Sequence, residues 1–435
     1  MLFFQNKLPR HKLYINLSSL VHSLFRILFR IKKKNIKSIV YEKLQKLFNT
    51  KNIFTISSWR AGLFVSLKSL NLEKNSEILV TPISIPDQIN SIVLAGCKPV
   101  FVDMDKETHN FDIEDLKSKI NDKTRVIHIT YLSGIIPDLE QILEIAKKKK
   151  LIIIEDISQA YGAKYMNYDI GNIGTFSIGS LSTGKTLASL AGGILIVNDE
   201  KYLNNLIFEM KDFQKEAKKN LEIKLNIWQL TISLATSKMI FNMLTYYYLK
   251  ILSIFFKKKF NDPELKNKIY NKKLIKNTFY SNPEILRTEF PSELYFDLSN
   301  NQLEILNQTL DDLEKNISNM RFQAKLYCEN LNQNFLKFIP RASFKFETNT
   351  YWHFPLTFNT REEAENFRYS MFNRGFDCVG YGLPLCNEIK AFNKFSEYLP
   401  NSKRIRENSI FLPLNGKLKN KDIKNTIKEL NNLKI

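Results

Sequence analysis

The sequence lacks the side-chain spacing that a disulfide framework or a metal site needs. Its four cysteines, Cys97, Cys328, Cys378 and Cys386, include no CxxC pair. Its five histidines, His11, His22, His109, His128 and His353, include no HxxxH pair. Reduced thiols and no bound metal are therefore expected. Glycine and alanine are scarce, a bias given no functional weight. Internal repeats and low-complexity linkers are also missing.

Long uncharged apolar runs are lacking too. Ile227 to Phe256 comes nearest, but Lys238 and Lys250 interrupt it. No stretch reaches the ~18 residues that a spanning helix requires. With Lys257, Lys258 and Lys259 following, the segment reads as core helices or as a hairpin lying on a membrane face. In Tyr14 to Lys34 the apolar run precedes the positive cluster, and no small-residue cleavage site follows, so it is not read as a signal peptide. It reads as a basic amphipathic helix, expected to pack on the core or a partner subunit rather than to anchor in a membrane. Acidic residues number 44 against 64 basic ones, a net charge of +20. No nucleic-acid module accompanies that charge, so nucleic acid is not an expected partner. An anionic membrane surface or acidic substrate is the alternative account.

What the sequence does contain is an α/β pattern. Between about Asn52 and Asp199, short apolar runs alternate with helical periodicity. The runs SEILVTP, KPVFVDMD, TRVIHITYL, LIIIED, GTFSIGS and GGILIVND are rich in Val, Ile and Phe, as expected of strands buried on both faces of a mostly parallel sheet. Helices are expected at NFDIEDLKSKI, with Asn110 as N-cap, and at PDLEQILEIAKKKK after Pro137. Beyond about Pro283 a long helical stretch (Ser299 to about Asn334), the strand-like YWHFPLTF, the helical TREEAENFRYSMFNRG and SIFLPL predict a small α+β domain. Three regions follow: a basic, apolar helical arm over 1–46, a large domain over 47–285 with an insertion around 225–276, and a small C-terminal domain over 286–435.

Ligands of open α/β sheets sit at the carboxyl ends of strands. Two segments end or begin there. LIIIEDISQAYGA places Glu155 and Asp156 directly after a buried strand, either to reach a ligand or to cap the next helix. GSLSTGKT, Gly179 to Thr186, matches a phosphate-binding P-loop literally, but TLASLAGGILIVND runs into a strand instead of the helix a P-loop needs.

Together these segments resemble the DegT/StrS-type sugar aminotransferases, enzymes of the aspartate aminotransferase fold that use pyridoxal 5′-phosphate (PLP). The resemblance rests on Glu155-Asp156, Gln159-Ala160, Gly162-Ala163, Gly171, Gly174, Ser180, Lys185 and Gly192-Gly193, with support from KPVFVDMDKETHNFD and SIFLPLNGKLKNKDI. It implies a PLP-transferase-like large domain and a homodimer. It also implies that Lys185 carries the cofactor and serves as general acid/base, and that Asp156 pairs with the pyridine nitrogen. Gln159 would bond the ring oxygen and Ser180 the phosphate. A strand-to-helix turn, SSWRAGLFVSL, would add phosphate contacts, including one from Arg60.

Three positions depart from the family pattern. Trp59 stands where a small residue is usual. Ile85 stands where an aromatic stacks on the ring, and Tyr131 where a histidine precedes a YG pair. Tyr131 and Tyr381 are candidate substrate contacts. Trp352 and Phe354 are expected in the core, and His353 is expected to be structural. The function implied is transfer of an amino group, from glutamate, to the keto group of a nucleotide-linked sugar. It would supply amino sugars for cell-surface polysaccharide, lipopolysaccharide included, in the cytoplasm or at the inner membrane face. The alternatives are a catalytically altered relative acting as a membrane-associated assembly or regulatory protein, and the P-loop reading.

Overall fold

The computed structural model describes residues 7–255 and 285–433. Seven strands form the central sheet: β1 (Ile53–Ile56), β2 (Glu77–Val80), β3 (Lys98–Phe101), β4 (Thr124–Thr130), β5 (Ile152–Asp156), β6 (Phe176–Ser180) and β7 (Gly193–Val197). Their order is β1-β7-β6-β5-β4-β2-β3. Only β7 runs antiparallel to its neighbours, pairing Ile56 and Ser180 on either side of Gly193. The other contacts are parallel. The expected mostly parallel α/β sheet is present. Within this sheet the one strand not foreseen is β1, whose three apolar residues and one threonine are too few to show a period.

Strand periodicity divides the core into two layers. Leu79, Ile127, Ile153 and Ile194 face one cluster, while Ile78, Val126, Ile154 and Leu195 face the other. Neighbouring residues thus go to opposite faces, as pleating requires. Helix α1 (Leu17–Phe29) and α2 (Ile36–Phe48) precede the sheet. The second layer takes α3 (Trp59–Ser69) and α4 (Pro86–Leu94), through residues such as Leu63, Val65, Ile89 and Ile92. Ser58 caps α3, its side chain accepting from the Ala61 N–H. Pro86 opens α4, where a missing N–H costs nothing.

Two expected boundaries shift. Asp112, not Asn110, caps the helix Ile113–Lys119, because its carboxylate accepts from the Glu114 and Asp115 N–H groups. Asn110 instead donates to the Thr130 carbonyl. The long helical stretch divides into Asn300–Asp311 and Leu313–Asn330, the first opened by a reciprocal Ser299–Gln302 capping box. A three-stranded antiparallel sheet follows: β8 (Phe354–Thr357), β9 (Val379–Gly380) and β10 (Ser409–Leu412), in the order β8-β10-β9.

The first helix packs inward through Leu20, Ser23 and Ile27, with Ser23 bonded to Asn226 of the helix Lys219–Ala235. Its Val21, Phe25, Leu28 and Phe29 stay exposed. Among the described residues, no helix is long and apolar enough to cross a membrane. The insertion expected around 225–276 is described as far as Phe255, and the remainder lies outside the described residues.

Glu155 ties the sheet to the loop beneath it. Its fully buried carboxylate accepts from the Tyr131 and Ser177 hydroxyls and from the backbone N–H groups of Gly171, Ile173 and Gly174, at 2.7–3.1 Å. Replacing it with leucine leaves all these donors unpaired. Glu155→Leu is expected to lower the chemical-denaturation midpoint by the equivalent of about 3 kcal/mol or more. Urea unfolding followed by circular dichroism checks this, and a change below about 1 kcal/mol would remove Glu155 from that role.

Candidate active site

At the carboxyl ends of β1, β4, β5 and β6 lies a cavity of about 390 Å³. Strand β5 delivers Asp156 to its wall, and the loop after β6 delivers Lys185. Ser180 and Ser182 line it on one side, Ile85 and the start of α3 on others. The family-derived residues Lys185, Asp156, Gln159, Ser180, Arg60, Trp59 and Ile85 all border this one cavity.

Several of its polar groups are anchored by hydrogen bonds. The Ser158 N–H donates to Asp156 Oδ1 at 3.0 Å, and the Ser180 N–H to Ser158 Oγ at 2.9 Å. The Ser180 and Ser182 hydroxyls lie 2.9 Å apart. Gln159 Oε1 accepts from the Ser133 N–H at 2.7 Å. Gly193 makes the close approach of α3 to the sheet workable. A Cβ there would lie 2.8 Å from the Ser58 carbonyl carbon and 2.9 Å from the Trp59 nitrogen.

Burial sets the electrostatics. It pushes the Asp156 carboxyl up, opposed by the bonds from Ser158, the charge of Lys185 and the Trp59 side chain. It pulls Lys185 down to about 8, opposed by the charge of Asp156. A lysine so placed is still mostly charged near neutral pH, but its neutral fraction, the form a nucleophile or proton acceptor needs, is far larger than that of an exposed lysine.

A second cavity, of about 510 Å³, adjoins the first. Lys185 and Gln159 line both. Its walls come from β9 and β10 and from residues 10–11 of the N-terminal arm. Arg361, Arg368 and Arg406 give it a basic rim, balanced in part by the pairs Arg361–Glu407 and Arg368–Glu365.

Several expectations change. Tyr131 is not a substrate contact: it is fully buried, borders neither cavity, and donates its hydroxyl to Glu155 at 2.9 Å. Arg60 borders the first cavity, but its Nε is 2.7 Å from the buried Asp87, which also takes Arg287 at 3.2 Å. Its guanidinium is therefore already engaged by a carboxylate that it shares with Arg287. Tyr381 lines the second cavity, with its hydroxyl 2.8 Å from His109 Nδ1. Phe354 is in the core as expected, whereas Trp352 faces Lys185, its ring centroid 4.1 Å from Nζ. No helix follows Thr186, so the segment is not a P-loop. Among the described residues no cluster of three or more His, Cys, Asp or Glu side chains is suited to a metal.

Sequence reading missed Ser57, Thr130, Ser182, Arg10 and His11 at these cavities. Ser57 and Thr130 immediately follow or end strands, a usable signal. Arg10 and His11 carry none.

The first cavity fits PLP. Asp156 suits a ring N–H and Lys185 a carbonyl carbon. The buried Ser57 Oγ and Thr130 Oγ1 have no protein partner, as expected of groups that await a ligand's oxygens.

The model of the DegT/DnrJ/EryC1/StrS aminotransferase family matches residues 38–231 and 260–431. The chain belongs to that family. It is 34% identical over 146 residues to GDP-perosamine synthase of Escherichia coli O157:H7, a stretch covering 34% of this chain and 40% of that protein. It is 29% identical over 156 residues to the spore coat polysaccharide biosynthesis protein SpsC of Bacillus subtilis, covering 36% and 40%. The matched stretch thus spans about two-fifths of these relatives. In fold it is similar to PseC of Helicobacter pylori, an aminotransferase of pseudoaminic acid biosynthesis, with TM-score 0.71, 15% identity and 98% of each chain covered. NtdA of Bacillus subtilis, solved with bound PMP, superposes with TM-score 0.67 and 17% identity, covering 98% of this chain and 87% of that one. These likenesses establish the PLP-aminotransferase fold.

Only the neutral amine adds to an aldehyde. PLP capture by the cofactor-free protein should therefore accelerate as pH rises and level off above about 8, the Lys185 value, instead of the ~10.4 of an exposed lysine. In Asp156→Asn the attractive carboxylate is gone, so the midpoint should fall further. Stopped-flow absorbance across pH 6–10 reads both.

Proposed function

We propose that this protein is a PLP-dependent aminotransferase, moving an amino group from glutamate to the keto group of a nucleotide-linked sugar. One observation carries the reading: Asp156 and Lys185 border a single cavity, and Lys185 alone of the two also borders the next. When bound, PLP supplies the electron sink and carries the amino group between donor and acceptor. Asp156 would hold the ring nitrogen and favour its protonated form. Ser57, Ser180 and Ser182 offer hydroxyls to the phosphate, and the N-terminus of α3 adds N–H groups and a favourable dipole. Ile85 covers the ring by contact alone. Lys185 takes and returns the proton at the substrate carbon.

The second cavity suits the substrates by charge. Its arginine rim favours the carboxylates of glutamate and the phosphates of a nucleotide-linked sugar. Perosamine and spore-coat relatives support a product destined for cell-surface polysaccharide, lipopolysaccharide among them. We further propose a cytoplasmic homodimer, in keeping with the family resemblance, to be checked by analytical ultracentrifugation. Peripheral contact with the inner membrane face would use the exposed Val21, Phe25, Leu28 and Phe29. That same exposed face favours a second reading, a family member with lost turnover and a membrane-associated assembly or regulatory role.

The decisive measurement is a visible spectrum of the purified protein with PLP, before and after glutamate. A cofactor band that glutamate bleaches is expected. Lys185→Ala should abolish the band and lower turnover by about 10²–10⁴-fold. Failure of the wild type to take up PLP would overturn the proposal. Uptake without amino transfer to any keto sugar, together with liposome binding, would favour the second reading.

A further inference from the structure

Lys185 stands between two cavities, and its nitrogen rests against an aromatic face on the substrate side. The Nζ atom lies 4.1 Å from the centroid of the Trp352 ring, within the range of a cation–π contact. Trp352 lines the second cavity but not the first. Asp156, on the cofactor side, is the opposing attraction.

The indole is bonded at one edge, and the backbone beside it is fixed as well. Its Nε1–H donates to the Gly184 carbonyl at 2.9 Å, one residue before the lysine itself. The next residue's N–H, that of His353, donates to the Ser133 carbonyl at 3.1 Å. Gly134, at φ 69°, permits this approach: a Cβ there would lie 2.9 Å from the Trp352 nitrogen and 2.5 Å from the Gln159 carbonyl oxygen. Sequence spacing suggested a core tryptophan, yet the ring is locked to the loop that carries Lys185.

We propose that Trp352 is a positioning residue, whose indole face seats the Lys185 ammonium whenever that lysine is not engaged by the cofactor. This rests on the aminotransferase reading, in which Lys185 must leave the cofactor, act on substrate and return. A free ammonium in a buried cavity needs a defined resting place, or it stays paired with Asp156 and competes with the ring nitrogen for that carboxylate. The indole face provides a seat that is apolar, adjacent to substrate and separate from Asp156.

The other groups around the lysine are compatible with this seat. From the N-terminal arm, burial and the charges of Arg10 and Lys185 hold His11 down to about 4, although Asp377 opposes them. Burial, His11 and Lys185 hold His353 well below the usual imidazole range. Both rings are therefore uncharged at neutral pH and do not repel the ammonium. Arg10 is bonded through two nitrogens to Asp377. Across the cavity, Arg361 and Arg368 pair with Glu407 and Glu365, while Arg406 stands in the same wall. Tyr381, bonded to His109, stays protonated.

The test uses the full-length, cofactor-free protein, so that its result does not depend on PLP binding. Acetic anhydride acylates neutral amines, and mass spectrometry of the Lys185 peptide gives its reactivity against pH. An indole face favours the charged lysine, so Trp352→Leu should move the reactivity midpoint to lower pH, by about one unit. Trp352→Phe, which keeps a weaker face, should move it the same way by less. Added water beside a merely structural tryptophan would move the midpoint upward, toward the ordinary lysine value. An unchanged or higher midpoint in Trp352→Leu overturns the proposal. If that variant loses its native circular dichroism, Trp352→Phe decides by the same sign. A normal PLP spectrum with an unshifted midpoint would remove the seat and leave the aminotransferase reading intact. A shifted midpoint in a protein that ignores PLP would do the reverse.

Discussion

Two opposite charges share one buried cavity, and most of the structure around them serves to keep both there. Asp156 ends a strand whose neighbours on either side are parallel, so its position is set by hydrogen bonds to β4 and β6. Lys185 comes from a loop pinned by the turn from Ser182 and by Trp352. Burial works against ionisation of each group, and each supports the other's charge. A site built this way favours a partner that can bond the anion and consume the amine together. The pyridine ring and carbonyl of PLP do both.

The carboxylate one position earlier shows how sequence neighbours divide tasks. Glu155 and Asp156 lie on opposite faces of β5. Asp156 faces the first cavity, and Glu155 faces the loop 171–174, where its oxygens satisfy three backbone N–H groups. The glycines of that loop, part of the family signature, matter because Gly171 adopts φ 112° and a Cβ on Gly174 would lie 2.7 Å from the Ile153 carbonyl oxygen. Tyr131 belongs to this structural half. Its hydroxyl bonds Glu155, which explains how a tyrosine replaces the family's usual histidine pattern without reaching substrate.

What could be read in the sequence follows the range over which each signal acts. Strand content is local, so the six long Val/Ile-rich runs were legible, while the four residues of β1 were not. Asp156, Ser180 and Lys185 were legible because strand ends and glycine spacing place them, with the family resemblance supplying their roles. The pairing of Arg60 was not legible, since Asp87, which also takes Arg287, meets it only through folding. Trp352 was misread for a related reason. An apolar residue beside a strand usually packs inward, and only the loop carrying Lys185 reveals that this one does not.

The largest illegible contribution is that of the N-terminal arm. Arg10 reaches the second cavity because Leu8 bridges to Phe376 and Asp377 clamps the guanidinium, contacts between segments near opposite ends of the chain. Neither PRHK nor RGFDC carries a recognisable motif. The consequence is physical: the second cavity depends on closure of the N-terminal arm, whereas the first depends on the hydrogen-bonded strand ends of the central sheet. Mutational loosening of the arm should therefore be felt by the second cavity before the first, because Arg10 borders the second and not the first.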